Sequence, residues 1–311
     1  MKTELKATRE GFGAGILLAA KQNPAVVALT ADLAGSIGLK KFKKVFPERF
    51  IEVGVAEQNL VTVASGLALA GKIPFATSFA AFSPGRNFEQ IRTTICYNNQ
   101  PVIIVGSHVG LGVGEDGATH QMLEDISLMR SLPNMQVIVP CDFEQAKVVV
   151  LEIIKKPKPT YLRVNRQKSP IITTSKTEFE IGKAQIMKTG KDITIISNGP
   201  MLYEAILATD ELKKQKISAE LINIHTVKPI DSAAIVKSAK KTKRVLTIED
   251  HTIHGGLGSA VSEVLSQNNP TKMKIMGMNS FGESGTADEL YKKYHLTAKD
   301  IVSEAKKLLK R

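Results

Sequence analysis

Short runs of β-branched residues alternate with longer helical stretches along most of the 311-residue chain, and this alternation restricts the fold more than any other feature. In the first half, strands are expected at 25–30 (AVVALT), 51–55, 73–77, 102–107, 137–139 and 160–164, and helices at 12–21, 59–70, 88–97, 121–131 and 144–154. In the second half, strands at 193–197, 219–224, 245–249 and 274–278 alternate with helices at 202–214, 232–239 and 257–266. The pattern predicts an α/β chain of two domains, each a mostly parallel sheet flanked by helices, with ligands at the carboxyl ends of the strands. Length points the same way, since one hydrophobic core rarely serves so many residues. The polar stretch 167–190, with Ser169-Pro170 and a run of Thr and Ser, is the expected connection between a first domain at 1–166 and a smaller second one at 191–311.

A net charge of +12 raises the question of nucleic acid. The lysines are scattered over expected helix faces, and aromatics make up only 5% of the chain, too few for stacking platforms. Anionic small substrates explain the charge better. Cys96 and Cys141 build neither a disulfide framework nor a metal cluster, which fits a reducing cytoplasm. The apolar run Ala14 to Ala20 is short and preceded by Glu4 and Glu10, unlike a secretory signal, and no stretch is long enough to span a membrane.

Glu57 is the first candidate site residue. RFIEVGVAEQ, 49–58, reads as a short buried strand that delivers this carboxylate onto the first turn of the helix NLVTVASGLALA. A glutamate there complements the helix dipole for roughly 0.3 to 1 kcal/mol, which is the plain structural explanation. The apolar flanks, however, are able to bury the turn, and a buried carboxylate has a raised pKa suited to sharing a proton.

The loop SHVGLGVGEDGATHQ, 107–121, follows a strand and precedes a helix. It contains a formal G-x-G-x-x-G at Gly112, Gly114 and Gly117, but Glu115 and Asp116 in the turn would repel a pyrophosphate, which argues against a dinucleotide. His108, Asp116 and His120 offer hydrogen-bond partners of both kinds, as a hydroxylated, partly anionic substrate requires. The plainer alternative is that they cap the turn. Phe79 and Phe82, three apart in SFAAFSPGR, are expected on one face of a helical turn, either as core or as a platform for a flat heterocycle.

GVAEQN at 54–59, SFAAF at 78–82, GEDGATHQ at 114–121 and EDHTIHGGLG at 249–258 together resemble the carboxyl-terminal half of transketolase, in order and spacing over nearly the whole chain. The resemblance implies a pyrimidine-binding domain followed by the family's carboxyl-terminal domain. No Gly-Asp-Gly, the signature of the family's pyrophosphate- and metal-binding domain, occurs in the sequence. The implied protein is therefore one subunit of a split transketolase, inactive alone. It would work as a dimer of heterodimers with an amino-terminal-half partner that holds most of the thiamine diphosphate pyrophosphate and its Mg²⁺.

Residue by residue, the resemblance makes Glu57 the partner of N1′ of the coenzyme's aminopyrimidine, favouring the imino tautomer that removes the thiazolium C2 proton. Phe79 and Phe82 would line the pyrimidine pocket, and Asp32 and Leu33 would face the thiazolium. Asp116 and His120 would read hydroxyls of a ketose donor and an aldose acceptor, with His120 joining Glu57 in catalysis. Arg9, Ser36 and His108 match family positions that hold the sugar phosphate. Val139 stands where many members have a phosphate-binding arginine, and Arg166 matches an arginine that others use. Gly85 replaces a third pocket aromatic. The implied reaction moves a two-carbon ketol unit between sugar phosphates of the pentose phosphate type.

Two other readings stay open. One is the beta subunit of a 2-oxo acid dehydrogenase, disfavoured by GEDGATHQ; the other is a non-catalytic interaction protein that kept the fold. His251 and His254, beside Gly255, Gly256 and Gly258, suggest a phosphate cradle, or only a strand-to-helix turn that needs glycine for close packing. Asp231 reads as a helix cap.

Overall fold

The computed structural model describes residues 4–174 and 176–310. In chain order its strands are β1 (Leu5–Ala7), β2 (Val26–Thr30), β3 (Phe50–Glu52), β4 (Ile73–Phe79), β5 (Ile103–Ser107), β6 (Gln136–Ile138), β7 (Thr160–Val164) and β8 (Lys168–Pro170). The second half adds β9 (Gln185–Lys188), β10 (Ile193–Ser197), β11 (Ala219–Asn223), β12 (Thr226–Lys228), β13 (Arg244–Thr252) and β14 (Lys272–Met278).

The larger sheet has the order β12-β6-β7-β5-β4-β2-β3, parallel except for β12. Strands β2, β4, β5 and β7 are buried along their whole length. Helices cover both faces, which is why these strands read as continuous apolar runs. On one face the helix Glu57–Leu69 buries Leu60, Val61 and Ala64 with Val27, Leu29 and Ala76. On the other, helices Thr8–Gln22 and Phe143–Ile153 lie so close that a Cβ on Gly11 would collide with the carbonyl of Phe143.

The second sheet runs β14-β13-β10-β11-β9, with only β9 antiparallel. After β11 the chain returns to the first sheet, where β12 pairs antiparallel with β6. The polar connection is not featureless. Within it β8 pairs with β1, and the buried Asp142 both caps the helix Phe143–Ile153 and accepts the Ile172 and Thr173 amides.

Local differences from the sequence reading have physical causes. The strand before Glu57 lies at the sheet edge and is half-buried rather than buried, and Val55 after it is 71% exposed, because β3 has a neighbour on one side only. The helix expected at 121–131 starts at Asp125: residues 121–123 spend their polar groups on the neighbouring loop and on the second domain instead. Helices Ala287–Lys293 and Ala298–Lys310, not anticipated, pack onto the second domain's core. Asp231 caps the helix Ser232–Thr242, as its position after Pro229 suggests.

Candidate active site

The strand order reverses at β2: the chain moves outward to β3 and then back to β4 on the opposite side. Such a switch point opens a crevice at the carboxyl ends of the strands, where open α/β sheets take their ligands. Loops 31–39 and 80–87 leave β2 and β4 there. Thr30 Oγ1 and Ser78 Oγ, at those strand ends, are buried without a hydrogen-bond partner.

Glu57 occupies the first position of its helix and is 5% exposed. Its backbone carbonyl accepts from Asn87 Nδ2 at 2.7 Å, which ties the helix start to the loop after β4. Among the described residues its carboxylate pairs with Arg86, whose Nη1 donates to Oε1 at 3.2 Å and to Oε2 at 3.1 Å. Burial of the acid is thus compensated by a half-exposed guanidinium rather than left unpaired. Sequence reasoning missed Arg86, although it ends the SFAAFSPGR stretch.

From Glu57 the aromatic groups form an unbroken series. The Arg86 guanidinium lies 4.3 Å from the Phe82 ring centre, a cation–π contact. Phe82 and Phe79 stack with centroids 5.9 Å apart, and Phe79 stacks on His108 at 3.7 Å. The His120 ring stands edge-on to Phe82 at 5.5 Å. Phe79 ends β4 and Phe82 belongs to the following turn, so the shared face comes from a strand end rather than from a helix.

At the far end of the series is a basic corner. Arg9 Nη1 donates to the Ser36 carbonyl at 2.6 Å and meets His108 Nε2 at 3.3 Å. Since a guanidinium only donates, Nε2 is the acceptor and His108 carries its proton on Nδ1, 2.9 Å from Ser107 Oγ. Burial, then the neighbouring Arg9 and Arg166 charges, hold the imidazole down to about 3, so it stays neutral. Arg166 donates to the Val113 carbonyl at 3.0 Å and to Asp116 Oδ2 at 3.3 Å.

The remaining candidates are placed less centrally. Asp32 adopts a left-handed φ of 59° and donates its amide to Glu52 Oε1 at 2.7 Å. Glu52 also accepts the Gly54 amide at 3.1 Å, so this residue, not singled out in the sequence, ties the Asp32 loop to the approach to Glu57. Leu33 is partly buried and packs against the core cluster to which Phe79 belongs. Val139 is fully buried and packs against Gly199 of the second domain, so its side chain serves the core. Gly85 has no room for an aromatic, because a Cβ there would strike the Ala81 carbonyl.

The glycine turn after β13 is not an open phosphate cradle. Glu249 fills it, accepting the Leu257 amide at 2.7 Å and the Gly258 amide at 2.8 Å. His251 is buried beside Asp125.

Residues 5–171 match the family described as transketolase, pyrimidine binding domain, and residues 182–301 match transketolase, C-terminal domain. The chain belongs to the transketolase family. It is 46% identical over 310 residues to a putative transketolase C-terminal section of Methanocaldococcus jannaschii, covering 97% of each. It is 40% identical over 312 residues to a 6-deoxy-6-sulfo-D-fructose transketolase subunit of a Clostridium species, covering 100% of this chain and 97% of that one. Among solved structures it is similar to a split gene transketolase described as an inactive beta4 tetramer, with a TM-score of 0.92, 43% identity and 98% of each chain covered. It is thus a split-transketolase type of subunit, in a family that implies thiamine diphosphate.

The residues present fit one half of that coenzyme. Glu57, 5% exposed, and the stacked Phe79 and Phe82 rings are the groups that would hold its pyrimidine. Orphaned Thr30 and Ser78 hydroxyls at the switch point add unused polar capacity. Among the described residues, no group of three His, Cys, Asp or Glu side chains is placed to hold a metal ion. No helix of the described residues is long and apolar enough to cross a membrane.

Proposed function

We propose that this chain is the pyrimidine-binding half of a two-chain transketolase, active only with an amino-terminal-half partner in a dimer of heterodimers. The reaction is transfer of a two-carbon ketol unit from a ketose phosphate, or a ketose bearing another anion, to an aldose phosphate. The observation that carries this reading is the unbroken series Glu57, Arg86, Phe82, Phe79, His108, Arg9, which joins a shielded carboxylate to a basic corner. The related beta4 assembly being described as inactive supports the need for a second chain. Two free, buried cysteines suit a cytoplasmic setting.

Thiamine diphosphate, when bound, supplies the nucleophilic carbon that carries the ketol unit. In this reading Glu57 shares a proton with a ring nitrogen of the aminopyrimidine, and Phe79 with Phe82 orients that ring. Asp32 and Leu33 face the thiazolium. Asp116 and His120 bind sugar hydroxyls, and His120 also moves a proton at a hydroxyl of the reacting sugar. Arg9 and Arg166 hold the sugar's anionic end by charge-assisted bonds. Ser36 and His108, as acceptors from Arg9, aim its guanidinium at that anion. The pyrophosphate and Mg²⁺ fall to the partner.

The test is to mix the chain with an amino-terminal-half transketolase chain, thiamine diphosphate and Mg²⁺, and to assay transfer from xylulose 5-phosphate to ribose 5-phosphate. Each chain alone is the control. A parallel donor, 6-deoxy-6-sulfofructose, separates phosphate from sulfonate. Activity in the mixture alone is expected; transfer by this chain without a partner, or none from any anionic ketose, would overturn the reading.

A further inference from the structure

The second domain grips the loop that carries His108, Asp116 and His120. Asp250 reaches it from β13: its Oδ1 accepts the Leu111 amide at 2.9 Å, across 139 residues of sequence. Its Oδ2 accepts from the Tyr291 hydroxyl at 2.9 Å, and Tyr291 lies on the helix Ala287–Lys293. The fit is tight. Gly110 has a φ of 65°, and a Cβ on it would overlap the Asp250 carboxylate, while a Cβ on Gly112 would lie 3.2 Å from the Tyr291 hydroxyl.

Other contacts hold the same loop from the same side. Gln121 Nε2 donates to the Glu283 carbonyl at 2.9 Å and to the Gly114 carbonyl at 3.2 Å. Ser284 Oγ donates to the Glu115 carbonyl. Asp250 is itself fixed: its backbone carbonyl accepts from Arg163 Nη2 at 2.8 Å, and Arg163 Nε donates to Asp125 at 2.8 Å. Tyr161 completes this buried cluster with a 2.6 Å bond to Asp125.

We propose that Asp250 and Tyr291 are positioning residues that shape the 110–121 loop, so that Asp116 and His120 meet the sugar hydroxyls, and that the second domain thereby sets substrate selectivity. The proposal rests on the functional reading above. A loop with glycines at 110, 112, 114 and 117 has little shape of its own, because glycine populates both signs of φ about equally. An anionic side chain accepting a backbone amide in a water-free setting removes that freedom at Leu111, where the loop begins to turn. Tyr291 in turn keeps the carboxylate from rotating, as outer hydrogen bonds do for ligand-holding groups generally. Neither residue touches substrate.

The experiment compares Tyr291→Phe and Asp250→Asn with wild type in two ways. Hydrogen exchange on the full chain alone reads the loop directly. Steady-state kinetics with the partner chain reads its effect on the sugars. The amides of 111–120 should exchange severalfold faster in Tyr291→Phe, with 103–107 unchanged. KM for the ketose should rise about tenfold, the order of one lost hydrogen bond to a charged group, with the dissociation constant of thiamine diphosphate within about twofold of wild type. Preference for ribose 5-phosphate over its 2-deoxy analogue should shrink. Unchanged exchange, faster exchange with KM and preference intact, or a parallel loss of coenzyme affinity would each overturn the proposal. Should Asp250→Asn not fold, Tyr291→Phe, which deletes one hydroxyl, decides alone. A wild-type mixture without ketol transfer would count against the functional reading, while the exchange arm still decides whether the pair shapes the loop.

Discussion

Nη1 of Arg86 lies 3.2 and 3.1 Å from the two carboxylate oxygens of Glu57, and the same guanidinium covers the Phe82 ring. One cation therefore bridges the acid and the aromatic pair, the two groups to which the proposed function gives the aminopyrimidine.

Replacing the acid tests its role. Glu57→Gln keeps size and burial but removes the charge, so turnover should fall by at least about a hundredfold, the lower range for a lost acid–base step. Assembly with the partner should survive, as sedimentation would show. Turnover near wild type would remove Glu57 from the chemistry.

Arg86→Ala should cost about 1 to 3 kcal/mol of stability, since the guanidinium is half-exposed but the buried Glu57 carboxylate loses its cation. Its effect should fall on turnover, roughly tenfold, because Glu57 loses the contact that fixes its orientation. Arg86→Lys should recover only part of this, lacking the planar face that stacks on Phe82. Matched chemical denaturation and kcat measurements separate the two effects, and an unaltered kcat in Arg86→Ala would contradict this account.

The basic corner makes a charge-dependent prediction. Arg166→Ala and Arg9→Ala should each raise KM for an anionic ketose by about tenfold or more, while leaving a neutral ketose little affected. Equal changes for both sugars would show that the arginines shape the site rather than bind the anion.

Buried histidines set an acid limit. His108, His225 and His251 are held down to about 3, about 4 and about 4 from 6.5, chiefly by burial. As pH falls below 6.5 the unfolded chain takes up these protons while the folded chain does not. Their contribution is thus complete above 6.5 and declines with acidification toward about 4 for His225 and His251 and about 3 for His108. Glu249, pushed up to about 7 by burial, has the opposite sign between 7 and 4.5, because the folded chain protonates it first. A single-histidine variant isolates one component: His225→Gln should lose less stability than wild type between pH 6.5 and about 4, read from urea midpoints. Parallel curves would refute the assignment.

Local chemistry was enough to place the strands other than β1, β8, β9 and β12, most helices and Glu57 at a helix start. Hydrophobic period and β-branching act over a few residues and are visible in the sequence itself. The sequence also marked Phe79, Phe82, His108 and His120, because a glycine loop and paired aromatics stand out against a chain poor in both kinds of clustering. Only tertiary structure decided that Arg86 faces Glu57, that His108 accepts from Arg9, that β12 returns to pair with β6, and that Asp250 holds Leu111. Those relations join residues 29 to 139 positions apart, and no propensity or period reports which distant partners a folded sheet brings into contact.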